Sequence, residues 1–129
     1  MQILTKYILG VTAVVFLLVG VSLLIQRPVS GDSCSGVVGT TYMTTIQSGK
    51  VSEPNIKAKL CDKIMFMNDD HVTREIAFGP HEDHVPYDGV AERFLNQGQY
   101  FTIALNKAGY YHWHDHNHDA VGGYFKVSK

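Results

Sequence analysis

Val51-Ser52-Glu53-Pro54-Asn55-Ile56-Lys57-Ala58-Lys59-Leu60-Cys61-Asp62-Lys63-Ile64-Met65-Phe66-Met67-Asn68 is the stretch that decides the fold. Ile56, Ala58 and Leu60 alternate with Lys57 and Lys59, the period of a strand with one face in water. After a turn at Cys61-Asp62 the alternation resumes with Ile64, Phe66 and Asn68 against Met65 and Met67. The second strand has no charge on either face after Lys63, so it is predicted to be covered on both sides.

The same grammar extends through the rest of the chain. Ser48-Gly49-Lys50, Asn68-Asp69-Asp70, Gly79-Pro80, Asp88-Gly89, Asn96-Gln97-Gly98 and Lys107-Ala108-Gly109 are turn signals. They separate runs rich in Ile, Val, Thr, Tyr and Phe, which is the spacing of an all-β sandwich or barrel. Strands are predicted at Thr41–Ile46, Asn55–Leu60, Lys63–Asn68, Arg74–Phe78, Gln99–Leu105, Tyr110–His114 and Gly123–Val127. Val90–Leu95 allows at most a turn or two of helix.

The amino-terminal part is of another kind. Tyr7 to Ile25 carries no charge and as a helix would reach roughly 28 Å, about the hydrocarbon thickness of a bilayer. It reads as an uncleaved membrane anchor within residues 1–27, a signal segment being the alternative. No small-residue cleavage site precedes Arg27-Pro28. Residues 28–40 then form a linker rich in Ser and Gly, and residues 41–129 the domain. From Asp32 onward nine Lys/Arg face twelve Asp/Glu, a net charge of −3 against −1 for the whole chain. No basic patch points to nucleic acid. The two cysteines, Cys34 and Cys61, would be a disulfide in an exported domain or, alternatively, two free thiols.

Chemistry concentrates in Tyr110-Tyr111-His112-Trp113-His114-Asp115-His116-Asn117-His118-Asp119, where four of the seven histidines alternate. On a strand, alternate side chains share a face, and neutral imidazole is the commonest protein ligand for copper, zinc and nickel. A solvated strand face is the bland reading of such a run. His81 and His84 lie in a loop-like stretch upstream. His71 sits in a turn, where a surface histidine is the default. Tyr111 and Trp113 are expected in the core, with His112, His114 and His116 facing out of the sandwich in a shallow site. Nucleophile elbow, phosphate loop and isolated acid pair are all lacking, so no catalytic residue is assigned.

The order of these features resembles the cupredoxin family over about Met43 to Val127. Val51–Asn68 is similar to its opening pair of strands, with Cys61 in place of the usual Gly. Asn96-Gln97-Gly98-Gln99-Tyr100-Phe101 and Gly109-Tyr110-Tyr111 are similar to its later strand entries. The resemblance implies a Greek-key β-sandwich in which the first and third strands run parallel, so that Cys34 and Cys61 begin on one side. The blue-copper ligands are missing: Asp115 falls where the thiolate belongs, Arg74 near the position of a usual histidine, and no Met follows Leu105. Gly109–His116 also resembles the His-x-His segment of multicopper oxidases. Pro80-His81-Glu82-Asp83-His84 together with His114-Asp115-His116 is similar to a group of small His-rich cupredoxin-like proteins.

That resemblance implies an all-nitrogen, type 2 copper site of His81, His84, His114 and His116, with His112 and His118 as weaker candidates. Three or four imidazoles suit Cu(II); zinc held by three His and a water is the alternative. Glu82, Asp83 or Asp115 would take the second ring N–H of a ligand. The functional expectation is a membrane-tethered, extracytoplasmic copper-binding protein for capture, delivery or redox. A small copper or zinc enzyme acting on an oxidant or reductant such as superoxide is the alternative. Its candidate partners are the membrane, a second copy of the chain and a metal-exchange protein.

Overall fold

The computed structural model describes Cys34 and residues 36–129. The anchor expected at Tyr7–Ile25 lies outside the described residues; within them, no helix is long and apolar enough to cross a membrane. Among the described residues nine strands make two sheets: β1 Thr41–Gln47, β2 Lys50–Val51, β3 Asn55–Lys59, β4 Lys63–Asn68, β5 Arg74–Phe78, β6 Arg93–Leu95, β7 Tyr100–Ala104, β8 Gly109–Asp115 and β9 His118–Ser128. One sheet has the order β2-β1-β4-β7, the other β3-β9-β8-β5-β6. The all-β sandwich expected from the turn spacing is present, and all seven predicted strands form. The Val90–Leu95 stretch is no helix: Arg93–Leu95 pairs as an edge strand with β5.

The core lies where the alternation put it. Ile64 and Phe66 of β4 face Trp113 and Phe125 of the other sheet, all essentially unexposed. Phe66 meets the Trp113 ring edge-on at 5.0 Å and stacks on Phe101 at 5.1 Å, arrangements that add to the area aromatic rings bury. Met65 and Met67 are only half-buried, so β4 is covered less evenly than expected. The strand buried on both faces is β5, from Arg74 to Phe78. Its two charged residues are tolerated there because their polar atoms are partnered: Glu75 Oε2 accepts from Asn117 Nδ2 at 3.0 Å, and Arg74 is bonded to two carboxylates, as described below.

Two features set the frame for the site. The first is the parallel pairing of β1 with β4, Thr41 opposite Lys63. It brings the segments preceding both strands together, and Cys34 is disulfide-bonded to Cys61 across a Cα–Cα distance of 5.1 Å. Cys61 has φ of +73°, the left-handed region that favours glycine, at the position where the family resemblance implies Gly. The second is the β8–β9 hairpin, whose register shifts between His114 and Asp115. Such bulges re-aim side chains beside functional sites. Here Trp113, His114 and Asp115 are all buried in succession.

A candidate metal centre of four histidines

His114 sits opposite Ala77 of β5 and Gly122 of β9. A Cβ on Gly122 would come within 2.9 Å of the His114 Cα, so the glycine leaves room for this residue. The loop after β5 supplies the other half of the site. It leaves the sheet at Gly79, whose φ is +86° and where a Cβ would lie 2.8 Å from the Val85 nitrogen. Both facts require glycine. The loop then folds back, with Val85 N–H donating to the Phe78 carbonyl, and lays His81 and His84 over His114.

One ring nitrogen from each of His81, His84, His114 and His116 lies within 4.8 Å of the other three. His116 Nδ1 faces His84 Nε2 at 3.1 Å. Two nitrogens bound to one ion at about 2.0 Å lie roughly 2.8–3.3 Å apart and at most about 4 Å. The cluster is therefore close to ligating size and needs only a small contraction. The facing His84 and His116 nitrogens can share one proton between them; a cation does the same with two lone pairs.

Burial grades from His114, with no exposure, through half-buried His84 and His116 to exposed His81. Neither ring nitrogen of His114 has a hydrogen-bond partner among the described residues. A buried, unpaired polar atom costs about 1–3 kcal/mol, and an ion bound through one of these nitrogens would remove part of that cost. Burial pushes the His114 imidazole below its ordinary value, and neighbouring His112, His84 and His81 add to the effect. It is held in the neutral form a metal needs. The residues present thus fit a metal bound by imidazole nitrogens.

Of the carboxylates expected as ring partners, Asp115 contacts only the outlying His118, and within the cluster His84 and His81 meet other acids. His84 Nδ1 is in contact with Glu92 Oε1, and the His84 ring holds the Glu92 carboxyl below the usual carboxylate range. His81 Nδ1 lies 3.5 Å from Asp119 Oδ1. Both contacts leave Nε2 as the free nitrogen. Glu92 falls in the stretch whose pattern allows a helical turn, and Asp119 lies past a hairpin reversal whose register the sequence does not display. Neither Glu82 nor Asp83 takes this role.

His112 and His118 stand apart from the cluster. His112 Nδ1 hydrogen-bonds the Gly79 carbonyl at 2.9 Å, and His118 Nδ1 contacts Asp115 Oδ2 at 3.2 Å. The histidines do leave the Trp113 side of β8, but the site is not shallow throughout: the loop carrying His81 and His84 covers His114.

No family model matches the sequence, and no curated protein matches it significantly. Solved structures do. A purple cupredoxin from Nitrosopumilus maritimus superposes with TM-score 0.58 at 20% identity, over 67% of this chain and 98% of that one. Amicyanin from Paracoccus versutus gives 0.58 at 19%, over 74% and 88%. A Cu-containing nitrite reductase from Thermus scotoductus gives 0.56 at 14%, over 71% of this chain and 23% of that one. At these identities the likeness is one of fold. The fold is cupredoxin-like.

Within this cupredoxin-like domain, Arg74 and Asp115, the residues at the implied histidine and thiolate positions, are bonded to each other. Arg74 Nη1 donates to Asp115 Oδ2 at 2.7 Å and Nη2 to Asp70 Oδ2 at 2.6 Å. Asp115 Oδ1 further accepts from the backbone N–H groups of Glu75 and Asn117. A buried ion pair fills that corner, and the four-histidine cluster lies along the neighbouring loop.

Proposed function

We propose that this chain is a copper-binding protein whose metal is held by His81, His84, His114 and His116, and that its work is capture and delivery of the ion. The observation that carries the proposal is the buried His114, unpaired on both nitrogens amid three further imidazoles. Copper is preferred over zinc because an imidazole-only set suits Cu(II) and its place at the top of the divalent affinity order. The cupredoxin-like fold supports the same choice, as does its likeness to a Cu-containing nitrite reductase.

Capture is favoured over chemistry on superoxide by the charge around the site. Glu82 and Asp83 lie between the two loop histidines, and Glu92 and Asp119 lie against them. The Lys and Arg ion pairs run elsewhere, to Asp70, Asp115 and Asp88. An acidic rim attracts a cation and repels an anionic oxidant.

The uncharged Tyr7–Ile25 segment supports a membrane tether within residues 1–27, followed by a linker at 28–40 and the domain at 41–129. The Cys34–Cys61 disulfide suits an oxidising, extracytoplasmic compartment. A metal-exchange protein at the same membrane surface is the partner this role requires. The test is to load the protein with copper and offer it chelators of graded affinity, then measure superoxide decay on the same sample. Graded transfer with no acceleration of superoxide decay is expected. Rapid catalytic decay with copper retained would overturn the capture reading.

A further inference from the structure

Four rings form a continuous row of contacts from solvent to the buried histidine, stacked at both ends and tilted by 40° where Tyr124 meets His112. Tyr110, 66% exposed, stacks on Tyr124 with centroids 5.2 Å apart and planes 12° from parallel. Tyr124 meets His112 at 4.8 Å, and His112 stacks on His114 at 5.3 Å and 14°. His112 is fixed in this row by its hydrogen bond to the Gly79 carbonyl. That bond explains what a histidine beside the cluster does instead of joining it.

We propose that the row protects the copper site: it carries oxidising equivalents generated at the metal out to Tyr124 and Tyr110. The inference rests on the copper reading above. A reduced copper ion exposed to hydrogen peroxide leaves an oxidant one electron short, and imidazole ligands are its nearest targets. Phenol side chains are oxidised more easily than imidazole. The histidine rings therefore provide electronic contact, and the tyrosines are where the missing electron comes from.

The balance is simple. Two electrons and two protons convert one hydrogen peroxide into two waters. The reduced metal gives one electron; a tyrosine gives the other and releases its phenolic proton, and solvent supplies the second proton. The neutral phenoxyl radical left at the surface is returned to tyrosine by a hydrogen atom from a small external one-electron reductant, and two of the reductant radicals so formed disproportionate or couple. Cross-strand pairing of His112 with Tyr124 would also stabilise the sheet on its own, so the test must separate chemistry from packing. Tyr→Phe does so, because it keeps the ring and removes the oxidisable hydroxyl.

The full-length protein and its Tyr110→Phe/Tyr124→Phe variant are titrated with copper, reduced, treated with hydrogen peroxide and mapped by peptide mass spectrometry. Metal-free protein serves as control. In the loaded wild type, oxidation is expected at Tyr110 and Tyr124, with dityrosine fluorescence. In the variant, added oxygen moves to His112 and His114, and copper-binding capacity is lost several-fold faster at an unchanged melting temperature. Histidine oxidation that is identical in both proteins, with the tyrosines untouched while copper is bound, would overturn the proposal. Failure to take up copper in the initial titration overturns the parent reading instead, and is seen before any peroxide is added.

Discussion

In the proposed copper site, His114 is the residue on which binding should depend most. It is a polar ring in a fully buried place, and neither nitrogen is satisfied within the protein. His114→Ala is therefore expected to weaken copper binding by about tenfold or more. It should change the stability of the metal-free protein little, because the lost packing is offset by removing two unpaired polar atoms. His118→Ala, whose ring contacts Asp115 outside the cluster, should leave copper affinity unchanged. Competition titrations of the two variants against one chelator check both statements. Equal loss of affinity in both would move the site towards Asp115.

The sequence was informative about which histidines come together and less so about the groups that contact them. His81, His84, His114 and His116 could be picked out because loop and strand each bear a closely spaced pair. Glu92 and Asp119 could not. Their contacts depend on how a loop of about a dozen residues folds back, and on a register shift that turns on one bulged residue. Burial of His114 was missed for the same reason. Alternation shows which side of a strand a residue takes, but not what a distant loop lays over it.

Among the elements, the parallel β1–β4 pair and its disulfide allow a sharp prediction. Closing a loop with a sequence separation of 27 stabilises the folded chain by about 3.5 kcal/mol in the chain-entropy view. Cys34→Ser/Cys61→Ser should lose about that much in urea unfolding. Cys34→Ser/Cys61→Gly should recover about 1 kcal/mol of it, because Cys61 holds a left-handed backbone that costs a residue with a Cβ. Equal stability of the two double variants would show that this backbone angle relaxes once the bridge is gone. The turn at Cys61-Asp62 and the placing of Cys61 where Gly is usual were legible in sequence; that the backbone keeps the left-handed angle there shows only in the structure.

For the whole molecule, the sandwich itself was the most legible feature, since Ile64, Phe66, Trp113 and Phe125 announce their faces by alternation. The corner of Asp70, Arg74 and Asp115 was not legible. Asp70 and Arg74 are four residues apart, but Asp115 lies 41 residues beyond Arg74, and nothing in the sequence joins it to them. This corner is expected to set the acid stability. Burial would raise the Asp115 carboxyl, but hydrogen bonds from Arg74 and from the Glu75 and Asn117 backbone overcome it and hold the group below its ordinary 3.8. Asp70 is lowered in the same way: burial is outweighed by Gly49, Arg74 and Ser48. Folded-state values below the unfolded ones mean that this stabilisation is complete above the unfolded value. It is lost as pH falls from there through the folded values. Urea midpoints of the metal-free protein should therefore drop steeply below about pH 4, and the drop should flatten in Arg74→Met. An unaltered acid limb in that variant would refute the assignment.

The central claim is that four imidazoles, and no thiolate, hold copper in this fold. Electron paramagnetic resonance of the full-length protein with one equivalent of Cu(II), read together with its visible absorption, tests it most directly. A type 2 signal with splitting from several nitrogen ligands and only weak ligand-field absorption is expected, both abolished by combining His81→Ala with His114→Ala. An intense thiolate charge-transfer band, or a nitrogen signal unchanged in that double variant, would contradict it.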